Sequence, residues 1–208
     1  MDNLAHIIIV FVVSVVLSAG AVALVLWLSH KKEWYDHVNE RKIHEGEVPR
    51  LGGIGFASTF IIVTAGVSLM YGKFDMMAHF LPCLLAMLIV LVSGAYDDFR
   101  PLAPRHKFAL QLAAALCLVV SGFIFKRVIY IGAGFLSNLK WLGYPLTFLW
   151  VIGITNAINL IDGVDGLAGG LSAIIAFFFG LIFYFSVETS KAVLLCVCLV
   201  GVLIGFLI

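Results

Sequence analysis

The chain has 208 residues, 62% hydrophobic and 12% charged, with a mean hydropathy of +1.11 and a formal net charge of +1. An ordinary soluble domain is ~45–50% apolar and ~25% charged, so a soluble enzyme is excluded; charges this few and this balanced also leave no basic surface for nucleic acid. At ~20 apolar residues per membrane-spanning helix, the length accommodates about seven spans and no separate soluble domain.

Windows of membrane length pick out apolar runs at 4–28, 51–71, 78–96, 108–125, 145–161, 167–187 and 192–208. The expected architecture is an all-α integral membrane protein, a polytopic bundle of about seven transmembrane helices forming one domain over 1–208. The first run lacks a basic leading segment and is too long for a cleavable signal, so it reads as a permanent anchor. Residues 128–144 alternate and carry Gly132, Gly134 and Gly143, the pattern of a short external strand or hairpin. Cys83, Cys117, Cys196 and Cys198 fall inside apolar runs and read as small buried hydrophobes. The last run ends at Ile208 with no interfacial anchor after it, so a C-terminally truncated piece is expected.

Orientation follows from Lys and Arg, which are enriched in cytoplasmic loops. Taken alternately, one set of connections holds Lys31, Lys32, Arg41, Lys42, Arg50, Arg100, Arg105 and Lys107, and the other holds Lys73, Lys126, Arg127, Lys140 and Lys191. The larger set places the connections near 29–50, 97–107 and 156–166 in the cytoplasm and the N-terminus outside. Every acidic residue except Asp2, Asp75 and Glu188 lies in those three segments. Polar chemistry is therefore expected on one face of the membrane.

Three constellations on that face carry the chemistry. Asp97 and Asp98 are adjacent carboxylates at the end of the third run; they repel one another unless a cation offsets the charge. The plain alternative is a solvated loop start before a proline turn. Asn156, Asn159, Asp162 and Asp165 recur every third residue through a very apolar stretch, with Gly163 and Gly166 permitting a break. A capped polar turn explains one Asp there, but not two Asn and two Asp where ionisable groups are costly. Arg41, Lys42, His44 and Arg50 precede Gly52, Gly53 and Gly55 at the start of the second run. Juxtamembrane cations attract anionic headgroups, yet Glu45 and Glu47 dilute this patch, which suits a specific phosphate grip better. Lys107 is a further cation near the same face, equally explained by snorkelling. Acidic groups able to hold Mg2+ or Mn2+, and basic groups able to hold phosphates, at the water boundary of a helical bundle point to diphosphate chemistry on a lipid.

These residues resemble the polyprenyl-phosphate N-acetylhexosamine-1-phosphate transferases, glycosyltransferase family 4. The likeness rests on N-E-R-K-I-H followed by P-R-L-G-G within 39–53, on Asp97-Asp98 followed by Lys107, and on N-A-I-N-L-I-D-G-V-D-G-L-A-G-G at 156–170. It implies transfer of a sugar 1-phosphate from a UDP-N-acetylhexosamine to undecaprenyl phosphate, releasing UMP and leaving a lipid-linked diphosphate sugar for envelope polysaccharide synthesis. The first segment is more similar to the branch using UDP-N-acetylglucosamine than to the one using UDP-muramoyl-pentapeptide, whose T-P-T-M-G-G pattern is absent here. By the same resemblance Asp97, Asp98, Asp162 and Asp165 are catalytic and metal-binding, and Arg41, Lys42, His44, Lys107, Asn156 and Asn159 bind substrate. The resemblance further implies the plasma (inner) membrane, with the active site expected on its cytoplasmic face; a homodimer is left open. A G-D-x-G-S segment with a further metal-ligand Asp and a late histidine-rich loop, both carried by family members, have no counterpart in 1–208. Two schemes stand at this point: direct attack by the lipid phosphate, or a route through a phosphorylated Asp. The rival reading is a polytopic transporter using intramembrane Asp and Asn, which predicts polar residues near mid-span rather than at one end.

Overall fold

The computed structural model describes residues 2–32, 52–71, 75–125, 140–162, 166–186 and 190–208. Seven α-helices are found among them: α1 Asp2–Lys31, α2 Gly52–Tyr71, α3 Asp75–Phe99, α4 Pro104–Val120, α5 Gly143–Ile161, α6 Leu167–Phe185 and α7 Ser190–Leu207. By length and composition Leu4–Lys31, Gly52–Met70, Gly143–Ile161 and Leu167–Phe185 can each cross a membrane, and Leu81–Asp97 and Ala192–Leu207 are shorter apolar helices. This is a multi-pass membrane protein. No strand occurs among the described residues. Of the stretch expected as a hairpin, 128–139 lies outside them, Lys140–Leu142 is a 3-10 turn, and Gly143 already opens α5.

The helices gather into two compact units, one of residues 1–71 and 164–208, the other of 72–163. In the first, α7 packs against α1, α2 and α6, and α1 also packs against α2. The contact is made by small residues. Gly201 and Gly205 face Ser14 and Ser18 of α1: a Cβ on Gly201 would lie 2.8 Å from Phe11 O and from Ser14 Cβ, and one on Gly205 would meet Val15 O and lie 2.8 Å from Ser18 Cβ. A Cβ on Gly55 of α2 would likewise lie 3.1 Å from the Val22 backbone of α1. Apolar burial does not drive helices together in lipid, so close backbone approach and interhelical hydrogen bonds must. Ser18 supplies one, its hydroxyl donating to Val202 O at 2.7 Å. Val10, Val63, Cys198 and Val202 form the enclosed core beside it.

In the second unit α4 packs against both α3 and α5. It begins at Pro104, earlier than the hydropathy run at 108, because proline suits a first helical turn that has no hydrogen bond to lose. It also ends earlier than expected. Gly122 takes a left-handed φ of 87°, its N–H donating to Val119 O at 3.0 Å while Phe123 N–H donates to Leu118 O at 3.1 Å. This glycine-closed pattern satisfies the last carbonyls of the helix. The chain beyond is tied to α5, since Phe125 N–H donates to Thr147 Oγ1 at 3.1 Å and Gly143 lies directly against Phe125 O.

Candidate functional site

The expected site residues of the second unit sit at the end of α3, the start of α4, the latter half of α5 and just after it. Asp97 occupies the last turn of α3, and the short connection 100–103 folds back over it: Leu102 N–H donates to Asp97 Oδ1 at 2.7 Å. Lys107, in the first turn of α4, places Nζ 2.6 Å from Asp97 Oδ2. Both carboxylate oxygens are thus met by donors, which favours the ionised form. The two side chains remain 28% (Asp97) and 38% (Lys107) exposed, and ion pairs this open to solvent contribute little to stability, ~0–1 kcal/mol. The pair is better understood as holding Lys107 in place.

One helical turn further, Gln111 faces α5. Asn156 Nδ2 donates to Gln111 Oε1 at 2.9 Å and to Ile152 O at 2.8 Å, and Gln111 Nε2 makes a longer return contact of 3.4 Å to Asn156 Oδ1. Residues four apart share a helix face, so Lys107 and Gln111 join α4 to Asp97 on one neighbour and to Asn156 on the other. Gln111 was not singled out from sequence; the available signal was a lone amide one turn after Lys107 in an otherwise apolar run.

Asn159 is exposed near the end of α5, and Asp162 caps that end through its backbone, N–H donating to Ile158 O at 3.0 Å. Partial burial pushes the Asp162 carboxyl above the ordinary carboxylate value. An anion at a helix C-terminus also faces the negative end of the helix dipole, so a cation there would be stabilising. The break expected from the glycines is present: α5 stops at Ile161, and Gly166 enters α6 with a φ of 74° that an L side chain rarely adopts.

Of the residues expected at the site, Asp97 and Lys107 are brought into contact, and Asn156 is brought to the same helix α4. Asn159 and Asp162 follow Asn156 along α5 with no side-chain hydrogen bond among the described residues. Arg41, Lys42, His44, Asp165 and the Asp98 side chain lie outside the described residues. No three His, Cys, Asp or Glu side chains come together as a metal site among the described residues.

Among the described residues this is a polytopic helical membrane protein in which partly buried polar side chains link three helices, Asp97 of α3 to Lys107 of α4 and Gln111 of α4 to Asn156 of α5. Comparison with known proteins defines it further. Residues 80–208 match the family model for Glycosyl transferase family 4, and the chain belongs to that family. It is 37% identical over 178 residues to a probable undecaprenyl-phosphate N-acetylglucosaminyl 1-phosphate transferase of Bacillus subtilis (strain 168), an overlap covering 83% of this chain and 47% of that protein. It is 34% identical over 160 residues, 76% of this chain and 42% of the relative, to an undecaprenyl-phosphate alpha-N-acetylglucosaminyl 1-phosphate transferase of Escherichia coli (strain K12). A phospho-N-acetylmuramoyl-pentapeptide-transferase of Streptococcus suis is 28% identical over 193 residues, 85% of this chain and 55% of the relative. The chain spans about half the length of the curated relatives it matches. Family membership sets aside the transporter reading.

Proposed function

We propose that this chain is part of an enzyme transferring N-acetylglucosamine 1-phosphate from UDP-N-acetylglucosamine to undecaprenyl phosphate, with its polar residues on the cytoplasmic face of the plasma membrane and its N-terminus outside. The observation that carries this reading is the link through α4, Asp97 to Lys107 and Gln111 to Asn156, which draws two of the three sequence motifs to one helix. Relatives more than 30% identical are named for this transfer.

The reaction balances without a proton. An oxygen of the lipid phosphate attacks the sugar-bearing phosphorus of the UDP-sugar, the bond from that phosphorus to the bridging oxygen breaks, and UMP leaves with that oxygen. A phosphate monoester has its second pKa near ~6, so attacking and leaving groups are both largely dianionic at neutral pH and no stoichiometric base is needed. What the protein must supply is position and charge compensation. Lys107, held by Asp97, offers a fixed positive charge to a phosphate, with Arg41, Lys42 and His44 as further phosphate-binding groups. Asn156 and Asn159 orient the nucleotide sugar. Asp97 is a poor nucleophile with both oxygens engaged, which favours direct attack over a phosphorylated-Asp route.

Mg2+ or Mn2+ fits part of the residue set. Hard divalent cations take carboxylate oxygens together with substrate phosphates; the largely exposed Asp162 carboxylate at a helix C-terminus suits such an ion, and Asp98 and Asp165 are the further ligands that the family resemblance implies. Asp97 does not fit as arranged, because a metal would displace Lys107 and the Leu102 N–H. When bound, the ion would supply charge neutralisation on the diphosphate.

The test is an assay of UMP release by the full-length gene product, in detergent or vesicles, with UDP-N-acetylglucosamine, undecaprenyl phosphate and Mg2+. Release dependent on all three is expected. A folded protein that releases no UMP from any UDP-N-acetylhexosamine overturns the proposal.

A further inference from the structure

We infer that Gln111 is a positioning residue of this site, one that locks the Asn156 carboxamide so that its oxygen is presented as an acceptor to a hydrogen-bond donor of the bound UDP-sugar. The inference rests on the transferase reading above and deepens it.

Gln111 stands in a helix whose other residues from Phe108 to Val120 are apolar. An amide in such surroundings is costly unless bonded, and this one bonds to Asn156, across 45 residues of sequence. A carboxamide offers two N–H donors and one acceptor oxygen with two lone pairs. Both donors of Asn156 are taken, one by Ile152 O at 2.8 Å and one by Gln111 Oε1 at 2.9 Å. The Ile152 carbonyl can be met only by the NH2 group, so it decides which way the amide points. The oxygen then carries only the long 3.4 Å contact from Gln111 Nε2, leaving a lone pair for a ligand. Without Gln111 the amide keeps a single anchor and can swing about it. Because Gln111 lies one turn from Lys107, the α4 face that sets this amide also sets the cation held by Asp97. The phosphate-facing and nucleotide-facing groups are therefore kept in register by one rigid element.

The experiment is a double-mutant cycle in the full-length protein with Gln111→Leu, Asn156→Ala and the combination, beside Gln111→Glu. Glu retains the acceptor that takes the 2.9 Å bond. Read-outs are the KM for UDP-N-acetylglucosamine, kcat for UMP release, and the unfolding midpoint in detergent. Gln111→Leu is expected to raise KM about tenfold with a smaller change in kcat, and to leave the midpoint within a few degrees. The double variant should be no worse than Asn156→Ala, since residues acting as a unit are non-additive, and Gln111→Glu should recover part of the loss. A wild-type KM in Gln111→Leu, or losses that multiply in the double variant, overturns the inference. Should the Leu variant fail to fold, the same cycle with Gln111→Met decides between the same two outcomes. A folded wild-type protein that releases no UMP overturns the transferase reading itself, and that result is seen before any variant is compared.

Discussion

The two units solve the problem of packing in lipid by opposite means. The unit of α1, α2, α6 and α7 brings backbones together over Gly201, Gly205 and Gly55, and its one interhelical side-chain bond quoted above, Ser18 to Val202 O, serves packing alone. The unit of α3, α4 and α5 joins its helices through Asp97 with Lys107 and Gln111 with Asn156, groups whose chemistry exceeds what packing requires. The contrast is one of means: small residues let backbones close on one another in the first unit, and polar side chains join neighbouring helices in the second.

That contrast can be broken most directly at Asp97 and Lys107. Asp97→Ala or Lys107→Ala should lower kcat for UMP release by a factor on the order of 10² to 10³ and shift unfolding by less than about 1 kcal/mol; an equal loss in stability would erase the distinction between the units. The opposite signature is expected at Gly205. Gly205→Val forces α1 and α7 apart and should cost roughly 1–3 kcal/mol, measured as a lower unfolding midpoint in detergent, with activity falling only as the folded fraction falls. Asp162→Asn sharpens the metal reading: the Mg2+ concentration for half-maximal UMP release should rise about tenfold, and a chelator should stop the wild-type reaction until Mg2+ or Mn2+ is restored. Smallest of all, Ser18→Ala should cost ~0.6 kcal/mol, the usual worth of a hydrogen bond between membrane helices, and leave KM unchanged.

Much of this was legible in the residues. Apolar runs of membrane length located the seven α-helices found among the described residues, because a chain in lipid must satisfy its backbone locally. Their ends were less legible: Pro104 and Gly122 shift α4 toward the N-terminus of the hydropathy window, since caps respond to backbone conformation rather than to hydropathy. The two acidic motifs stood out because ionisable groups are rare in such surroundings. Lys107 was readable as a cation near that face, but its direct engagement with Asp97 was not.

Sequence alone settled that this is a helical membrane protein, where its apolar helices fall, and which motifs carry charge, since all three follow from local composition and from the cost of polarity in hydrocarbon. Only the tertiary arrangement decided that one face of α4 serves both Asp97 and Asn156, that Gln111 belongs with them, and that Gly201 and Gly205 are contact points. The reason is that pairing across helices depends on how they rotate and approach one another. A residue's identity and spacing state what it can bond to, and the packing selects the partner.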